Sequence, residues 1–139
     1  MSSPPPGTSL LGASDAESPL VLIVEDNEMN LKLTRDVLRA AGFRTLEAAS
    51  GAEGIALAAE RLPDVILLDL RLPDIDGNDV VLRLRTGART SCIPVVALTA
   101  LVSLGDALVD AGFDGFLSKP IDVRAFPNQV RKYCRRRPA

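Results

Sequence analysis

Short apolar runs that alternate with longer amphipathic stretches limit this chain to few folds. The first run, Leu20–Val24, is apolar at every position, as expected for a strand that is covered on both faces. Further short runs follow it, and we predict strands at Phe43–Ala48, Val65–Leu68, Ile93–Leu98 and Gly115–Leu117. Strands covered on both faces are typical of a parallel sheet, because the connecting helices pack on both sides of it.

The stretches between the runs have the apolar periodicity of helices. Leu33, Val37, Leu38 and Ala41 fall on one stripe, and Gly42 ends that helix. The sequence predicts helices at about Asn27–Ala41, Gly51–Arg61, Asn78–Arg85 and Ser103–Ala111, and a last helix that runs to about Arg135 with Pro127 in its first turn. The expected fold is therefore α/β, a doubly wound sheet of five parallel strands with five helices, and such sheets bind ligands at the carboxyl ends of their strands.

The first residues of the chain have a different composition. Residues 1–18 are rich in Ser, Pro, Gly and Ala, and the run Pro4–Pro6 favours extended, solvated backbone. We predict a disordered tail at 1–18 and one domain at 19–136, which fits a length of 139 residues.

Charge and composition exclude several kinds of function. The net charge is −2, and the basic cluster formed by Arg131, Lys132 and Arg135–Arg137 is interpreted as a solvated helix end, so we expect no nucleic-acid partner. The chain has no His, so a His base or nucleophile and a phosphohistidine are excluded. Cys92 and Cys134 have no CxxC spacing, and no apolar run approaches the roughly 20 residues of a membrane span. We expect a cytoplasmic protein with no membrane partner and with reduced thiols.

Polar side chains follow the predicted strands at the points where the strands end. Glu25 and Asp26 follow the first strand, Asp69 ends the third, Thr99 ends the fourth, and Lys119 lies just beyond the fifth. Because the carboxyl ends of parallel strands meet at one edge of a sheet, we expect these side chains to converge on one pocket.

Three carboxylates in one pocket repel one another, and a hard divalent cation with oxygen ligands relieves that repulsion. Mg²⁺ suits such a site because it keeps several waters and often shares a phosphate with its protein. Lys119 can neutralise a bound anion, and Thr99 offers a hydroxyl donor. A single acidic residue after a strand is often only a helix cap, so the prediction depends on the whole group. Carboxylate, metal, lysine and hydroxyl together favour phosphoryl transfer.

Several segments of the chain resemble bacterial response-regulator receiver domains. They occur in the family's order and at nearly its spacing, and they are Val21–Asn27, Asp69–Gly77, Leu98–Ala100 and Phe116–Pro120. The match runs from about Pro19 to Arg135, and the segment Glu25–Asn30 is most similar to single-domain receivers and to the receivers of hybrid kinases. The resemblance implies a flavodoxin-like fold with the strand order 2-1-3-4-5.

The resemblance also implies a role for each residue of the acidic site. Asp69 is the expected phosphoacceptor, and Asp26 and Asp69 are expected to ligate Mg²⁺ with their side chains. Glu25 is expected to act on the metal through a bound water, and the backbone carbonyl of Arg71 completes the expected protein ligands.

The remaining implied roles concern signalling. Lys119 is expected to contact the phosphoryl group, Thr99 to move towards it, and Phe116 to follow as an aromatic switch that is also a core residue. The phosphoryl group would come from a sensor histidine kinase or a phosphotransfer protein, and the signal would pass to a downstream protein by direct contact. Such a protein is not an enzyme beyond its own Mg²⁺-dependent phosphorylation and dephosphorylation.

The segment from Thr99 to Lys119 departs from the family because it is shorter by about half a helical turn. Its helix is also unusually apolar, with Leu101, Val102, Leu104, Leu108 and Val109. One hypothesis is that this face docks another protein or a second copy of the chain as a homodimer. The other is that the shortened helix tilts and buries these side chains.

Three alternatives share parts of this pattern. A receiver fold can act as a binding module without phosphorylation, and the altered helix keeps that reading open. A phosphohydrolase of the haloacid-dehalogenase class needs a second acid two residues after its nucleophile, where this chain has Arg71. A flavodoxin-like cofactor binder needs a phosphate loop after the first strand, where Glu25 and Asp26 would repel a phosphate.

Overall fold

The apolar runs of the sequence form one sheet of five parallel strands. The computed structural model describes residues 18–100 and 105–134. Its strands are β1 (Leu20–Val24), β2 (Arg44–Ala48), β3 (Val65–Asp69), β4 (Val95–Thr99) and β5 (Gly115–Ser118). Their order is β2-β1-β3-β4-β5, with every neighbouring pair parallel, which confirms the predicted fold and strand order.

The amphipathic stretches form helices on both sides of the sheet. They are α1 (Glu28–Ala40), α2 (Gly51–Arg61), α3 (Gly77–Thr86), α4 (Gly105–Ala111) and α5 (Phe126–Tyr133). Pro127 lies in the first turn of α5 as predicted. The predicted start of α4 at Ser103 lies outside the described residues, as do residues 1–17 of the predicted tail.

Two strands begin later than predicted. β4 begins at Val95 and not at Ile93, and Pro94 before it has no N–H to donate. The Pro94 carbonyl nevertheless accepts a hydrogen bond from the Ile66 backbone N at 2.9 Å, so the chain is already aligned with β3 there. β2 begins at Arg44 because Phe43 still closes the end of α1, where its backbone N donates to the Leu38 carbonyl at 3.0 Å.

The sheet separates two apolar cores because successive side chains of a strand point to opposite faces. Leu22 and Val24 of β1 pack in one core with residues of α2, α3 and α4. Val21 and Ile23 of the same strand pack in the other core with residues of α1 and α5. Every residue of β1, β3 and β4 is buried, which explains why these strands are apolar except for Asp69 and Thr99 at the ends of β3 and β4. The three central strands therefore form a buried platform whose carboxyl ends share one edge.

Side-chain caps fix where the helices begin at that edge. The Asn27 side chain accepts a hydrogen bond from the Asn30 backbone N at 3.0 Å and starts α1 directly after the Glu25–Asp26 pair. Asp76 accepts from the Asn78 backbone N at 2.8 Å and starts α3. Both caps satisfy N–H groups that a helix start leaves without partners. Within the part of the chain that the structure describes, no helix has the length and apolar character that a membrane span requires.

Candidate metal and phosphoryl-acceptor site

Three carboxylates come together at the carboxyl edge of the sheet. Asp69 is the last residue of β3, and Glu25 and Asp26 follow the neighbouring strand β1. One carboxylate oxygen from each of the three residues lies within 4.8 Å of the other two. Glu25 and Asp69 are buried, with exposed fractions of 1% and 4%, whereas Asp26 is exposed. The cluster therefore has a buried base and an open side from which an ion or a substrate can enter.

Lys119 brings a single ammonium group to this cluster from the end of β5. Its Nζ lies 3.0 Å from Glu25 Oε1 and 3.2 Å from Asp69 Oδ1. Its backbone N also donates to the Thr99 carbonyl at 2.9 Å, which continues the pairing of β5 with β4 beyond the strands. One ammonium group beside three carboxyl groups compensates at most one negative charge, and a divalent cation would balance the charge of the others.

Burial and mutual contact set the charge states of the two buried carboxyls. Burial raises the pKa of Glu25 to about 7, its hydrogen bond with Asp69 also raises it, and Lys119 acts in the opposite direction. Burial alone would raise the pKa of Asp69 too. Hydrogen bonds from Glu25 and from the Arg71 backbone N, with the positive charge of Lys119, outweigh that effect and hold the pKa of Asp69 below its ordinary value. Of the two buried carboxyls, Glu25 therefore binds a proton more readily, and Asp69 is the more acidic partner.

Backbone groups orient both buried carboxylates. The Arg71 backbone N donates to Asp69 Oδ1 at 3.2 Å, and the Asn27 backbone N donates to Glu25 Oε2 at 3.2 Å. Each donor lies two residues after the carboxylate it holds, so each loop turns back over its own strand end. This arrangement brings Arg71 to the site by its backbone, while its side chain is exposed.

An open cleft of about 830 Å³ lies over these groups. The predicted site residues that line it are Glu25, Asp26, Asp69, Arg71, Thr99 and Lys119. Thr99 is the last residue of β4 and is buried, with an exposed fraction of 6%.

Phe116 does not line the cleft, unlike the other predicted site residues. It lies on β5, pairs with Ala97 on β4, and packs half-buried against the core that contains α3 and α4. A β-carbon built on Gly105, the first residue of α4, would lie only 2.7 Å from Phe116 Cε1. The Phe116 ring therefore lies against the start of α4.

Several residues near the site have no role that was predicted from the sequence. Asn27, Met29 and Asn30 also line the cleft, and the side chain of Met29 is 82% exposed. The sequence feature that could have identified them is their position at the start of the helix that follows the acidic pair. Asp74 was also missed: its carboxylate accepts hydrogen bonds from the Gly51 and Ala52 backbone N atoms. No local pattern indicates that contact, because more than twenty residues separate the partners.

The apolar helix after Thr99 is only partly covered. Leu108 is buried, whereas Val109 is 57% exposed. Leu101, Val102 and Leu104 lie outside the described residues, so the tilting and docking hypotheses stay predictions for them.

Comparison with known proteins gives a consistent result. The family model described as the response regulator receiver domain matches residues 21–131. The polar-differentiation response regulator DivK of Brucella ovis is 41% identical over 115 residues, which cover 81% of this chain and 94% of that protein. DivK of Brucella anthropi is 40% identical over the same shares of both chains.

Solved structures also resemble this chain. The receiver domain of the sensor histidine kinase PA1611 from Pseudomonas aeruginosa PAO1, which has a magnesium ion coordinated in its active-site cleft, is 30% identical with a TM-score of 0.77. The alignment covers 84% of this chain and 97% of that one. A CheY-like receiver domain from Methylobacillus flagellatus is 27% identical with a TM-score of 0.76, and the alignment covers 84% of this chain and 99% of that one.

Proposed function

Since this chain belongs to the response-regulator receiver family, we propose that it accepts a phosphoryl group on the Asp69 carboxylate and acts as a phosphorylation-dependent switch in two-component signalling. One observation carries the proposal. Asp69 is a buried, ionised carboxylate that has Lys119 Nζ at 3.2 Å and two further carboxylates beside it at the open edge of the sheet. A nucleophile, a cation and a set of oxygen ligands therefore meet at one point.

The cluster fits Mg²⁺ by its donor chemistry, since its three carboxylates offer hard oxygen ligands and, among the described residues, Lys119 is the one lysine that pairs with them. Asp26 and Asp69 would hold the ion with their side chains, Glu25 through a water, and Arg71 with its backbone carbonyl. When bound, the ion supplies neutralising charge for the phosphoryl oxygens and for the acceptor carboxylate. The magnesium ion in the cleft of the Pseudomonas aeruginosa receiver supports this assignment.

Asp69 performs the bond-forming step. One oxygen of its carboxylate attacks phosphorus, and the bond from phosphorus to the donor breaks, which leaves an aspartyl phosphate and a free donor. Lys119 Nζ lies 3.0 Å from Glu25 as well as 3.2 Å from Asp69. It can therefore pass its Asp69 contact to a phosphoryl oxygen while its contact with Glu25 remains. Thr99 would donate its hydroxyl to another phosphoryl oxygen from the end of β4.

The signal would leave the site through the next two strands. Thr99 draws towards the phosphoryl group, Phe116 on the adjacent strand follows, and α4 adjusts because Gly105 lies against the Phe116 ring. Phosphorylation then shifts an equilibrium between two arrangements of α4 and β5. The exposed side of α4, which includes Val109, would contact the downstream protein or a second copy of the chain.

The donor would be a sensor histidine kinase or a phosphotransfer protein, because the chain has no His of its own. We assign the protein to the cytoplasm, where such donors present their phosphohistidine. The phosphoryl group is taken onto the chain itself, so the protein acts as a switch and not as an enzyme that turns over a separate substrate.

Intact-protein mass after incubation with Mg²⁺ and acetyl phosphate tests the proposal. We expect the wild type to gain one phosphoryl group, and Asp69→Asn or EDTA to prevent the gain. Asp79→Asn is the matched control, since Asp79 is an exposed aspartate on α3, outside the cleft. It should gain mass as the wild type does. If neither acetyl phosphate nor a phosphorylated histidine donor modifies the wild type, the chain is a receiver-fold binding module that works without phosphorylation.

A further inference from the structure

The loop that carries Arg71 is tied to a helix that takes no part in the cleft. This loop spans residues 70–76 and joins β3 to α3. Asp74 Oδ1 accepts a hydrogen bond from the Gly51 backbone N at 2.9 Å, and Asp74 Oδ2 accepts one from the Ala52 backbone N at 3.0 Å. The two oxygens of one carboxylate thus accept hydrogen bonds from the first two residues of α2.

The start of α2 already has caps from its own residues. Ser50 Oγ accepts a hydrogen bond from the Glu53 backbone N at 3.2 Å, and Glu53 Oε1 accepts one from the Ala49 backbone N at 2.9 Å. Ser50 is thus the side-chain cap of α2, and Glu53 reaches back to the residue before that cap. Asp74 accepts from the Gly51 and Ala52 backbone N atoms, which neither Ser50 nor Glu53 takes. Because α2 is already capped by its own residues, we expect the Asp74 contact to act mainly on the position of the loop.

Packing holds the base of the loop, and Asp74 holds its tip. At the base, a β-carbon built on Gly77 would lie 2.8 Å from Leu70 Cδ2. Leu70 begins the loop and Gly77 follows it, so the two ends of the loop pack against each other. Near the tip, a β-carbon built on Gly51 would lie 3.2 Å from Ile75 Cβ. The loop tip and the start of α2 are therefore in close contact, through the two Asp74 hydrogen bonds and through the packing of Ile75 on Gly51.

Arg71 lies between these two anchors. Only Leu72 and Pro73 separate it from Asp74, and the ring of Pro73 fixes one of the few backbone rotations in between. Leu72 is half-buried against the core. The two N–H groups also hold the pKa of Asp74 below its ordinary value, so the carboxylate stays ionised and keeps both bonds at neutral pH.

We infer that Asp74 is a positioning residue for the metal site, which sets the loop so that the Arg71 carbonyl and the Asp69 carboxylate face the ion together. The inference rests on the proposed function. Asp74 acts through the backbone of the loop and lies outside the residues that line the cleft. Partners that orient metal ligands in this way govern affinity, because a ligand that must be ordered on binding costs free energy.

The test compares two substitutions that remove hydrogen bonds from the same helix start. Asp74→Ala removes the contact with the loop, and Ser50→Ala removes a cap of α2 that does not involve the loop. Mg²⁺ affinity is measured by calorimetry, and the thermal midpoint of the metal-free protein reports the general loss of stability. We expect Asp74→Ala to weaken Mg²⁺ binding by about tenfold, at the low end of the range for groups that orient metal ligands. Ser50→Ala should leave the affinity within about twofold of wild type despite a lower thermal midpoint.

Two further measurements complete the test. Asp74→Asn keeps one acceptor oxygen and should give an affinity between those of the wild type and Asp74→Ala. Amide hydrogen exchange of the metal-free protein should show faster exchange at Gly51 and Ala52 in Asp74→Ala, which verifies that the two bonds exist in solution.

The inference is overturned if Asp74→Ala binds Mg²⁺ as the wild type does, or if Ser50→Ala loses as much affinity. Both outcomes are independent of phosphorylation. If the wild type bound Mg²⁺ but accepted no phosphoryl group from any donor, the proposed function would fail, and the calorimetric comparison would still decide the role of Asp74.

Discussion

The two flanks of Asp69 are built in different ways. On one flank, here called the fixed side, are the loop 70–76 and α2, which are joined by the Asp74 carboxylate. The fixed side buries Gly51, Gly54 and Ala58 of α2 against its neighbours. On the other flank, here called the output side, are β5 and α4, a helix of seven residues of which only Leu108 is buried.

This difference separates two requirements of a switch. Phosphoryl transfer needs ligands that are already in place, because ordering them during the reaction would raise the barrier. Signalling needs an element with two arrangements of similar free energy. When the fixed side holds its ligands in place, we expect a new phosphoryl group to change the conformation of the output side.

The largest effect is expected at Lys119, where the two sides meet. Lys119→Met should reduce the rate of phosphoryl uptake from acetyl phosphate by roughly 100-fold, because the charge on the phosphoryl oxygens loses its ammonium partner. Lys132→Met, which removes an exposed lysine of α5, should leave the rate unchanged. Time courses of intact mass measure both rates. Equal rates for Lys119→Met and wild type would show that the site does not use this cation.

The next effect concerns the packing of the fixed side. A β-carbon built on Gly54 would lie 2.8 Å from Val24 Cγ2, and Val24 is fully buried in the central strand β1. Gly54→Ala should lower the free energy of unfolding by on the order of 1 kcal/mol, because the strain of overpacking outweighs the gain in helix propensity. Urea unfolding measures the change. A Gly54→Ala variant that is more stable than the wild type would show that the packing of the fixed side can adjust to the added methyl group.

The matched substitution on the output side is Gly105→Ala. Its β-carbon would lie 2.7 Å from Phe116 Cε1, but Phe116 is only half-buried and so is less confined than the fully buried Val24. We expect a change in stability within about 0.5 kcal/mol, since a ring that relocates releases the strain. Chemical shifts in β5 should nevertheless change while Mg²⁺ affinity does not. A stability loss as large as that of Gly54→Ala would remove the contrast between the two sides.

The smallest effect is a dependence on pH at the fixed side. Hydrogen bonds from the backbone N atoms of Gly51 and Ala52 lower the pKa of Asp74 from its ordinary 3.8 in the folded protein. A lowered folded-state pKa means that the contribution of Asp74 to stability is present above pH 3.8 and is lost as the pH falls through the folded value. The difference in thermal midpoint between wild type and Asp74→Asn should therefore shrink in acid. A difference in thermal midpoint that stays constant down to acidic pH would show that the Asp74 hydrogen bonds do not contribute to stability.

Much of this architecture was predictable because it depends on patterns that are local in the sequence. β1, β3 and β4 are buried on both faces, so each is an apolar run, with a polar residue only at the end of β3 and of β4. The candidate site followed from the rule that parallel strands end at one edge, and the structure places Glu25, Asp26 and Asp69 together there.

Contacts between distant segments were not predictable in this way. The Arg85 guanidinium donates to the Gly112 carbonyl at 3.2 Å and to the Ile93 carbonyl at 2.7 Å, and it pairs with Asp114. In the sequence, Arg85 appears only as a charged residue at the end of a helix. Its partners are chosen by how α3, β4 and β5 pack, which no window of the sequence contains. The same reason explains why Asp74 appeared only in the structure.

Hydrogen exchange of the Mg²⁺-bound protein, with and without the phosphoryl mimic beryllofluoride, tests the contrast between the two sides most directly. We expect the mimic to change exchange in Gly105–Ala111 of α4 and Gly115–Ser118 of β5, and to leave Gly51–Arg61 of α2 unchanged. Asp69→Asn should abolish every change. Equal changes of exchange in α2 and α4 would contradict the contrast between the two sides. So would unchanged exchange in α4 and β5 when the mimic is bound.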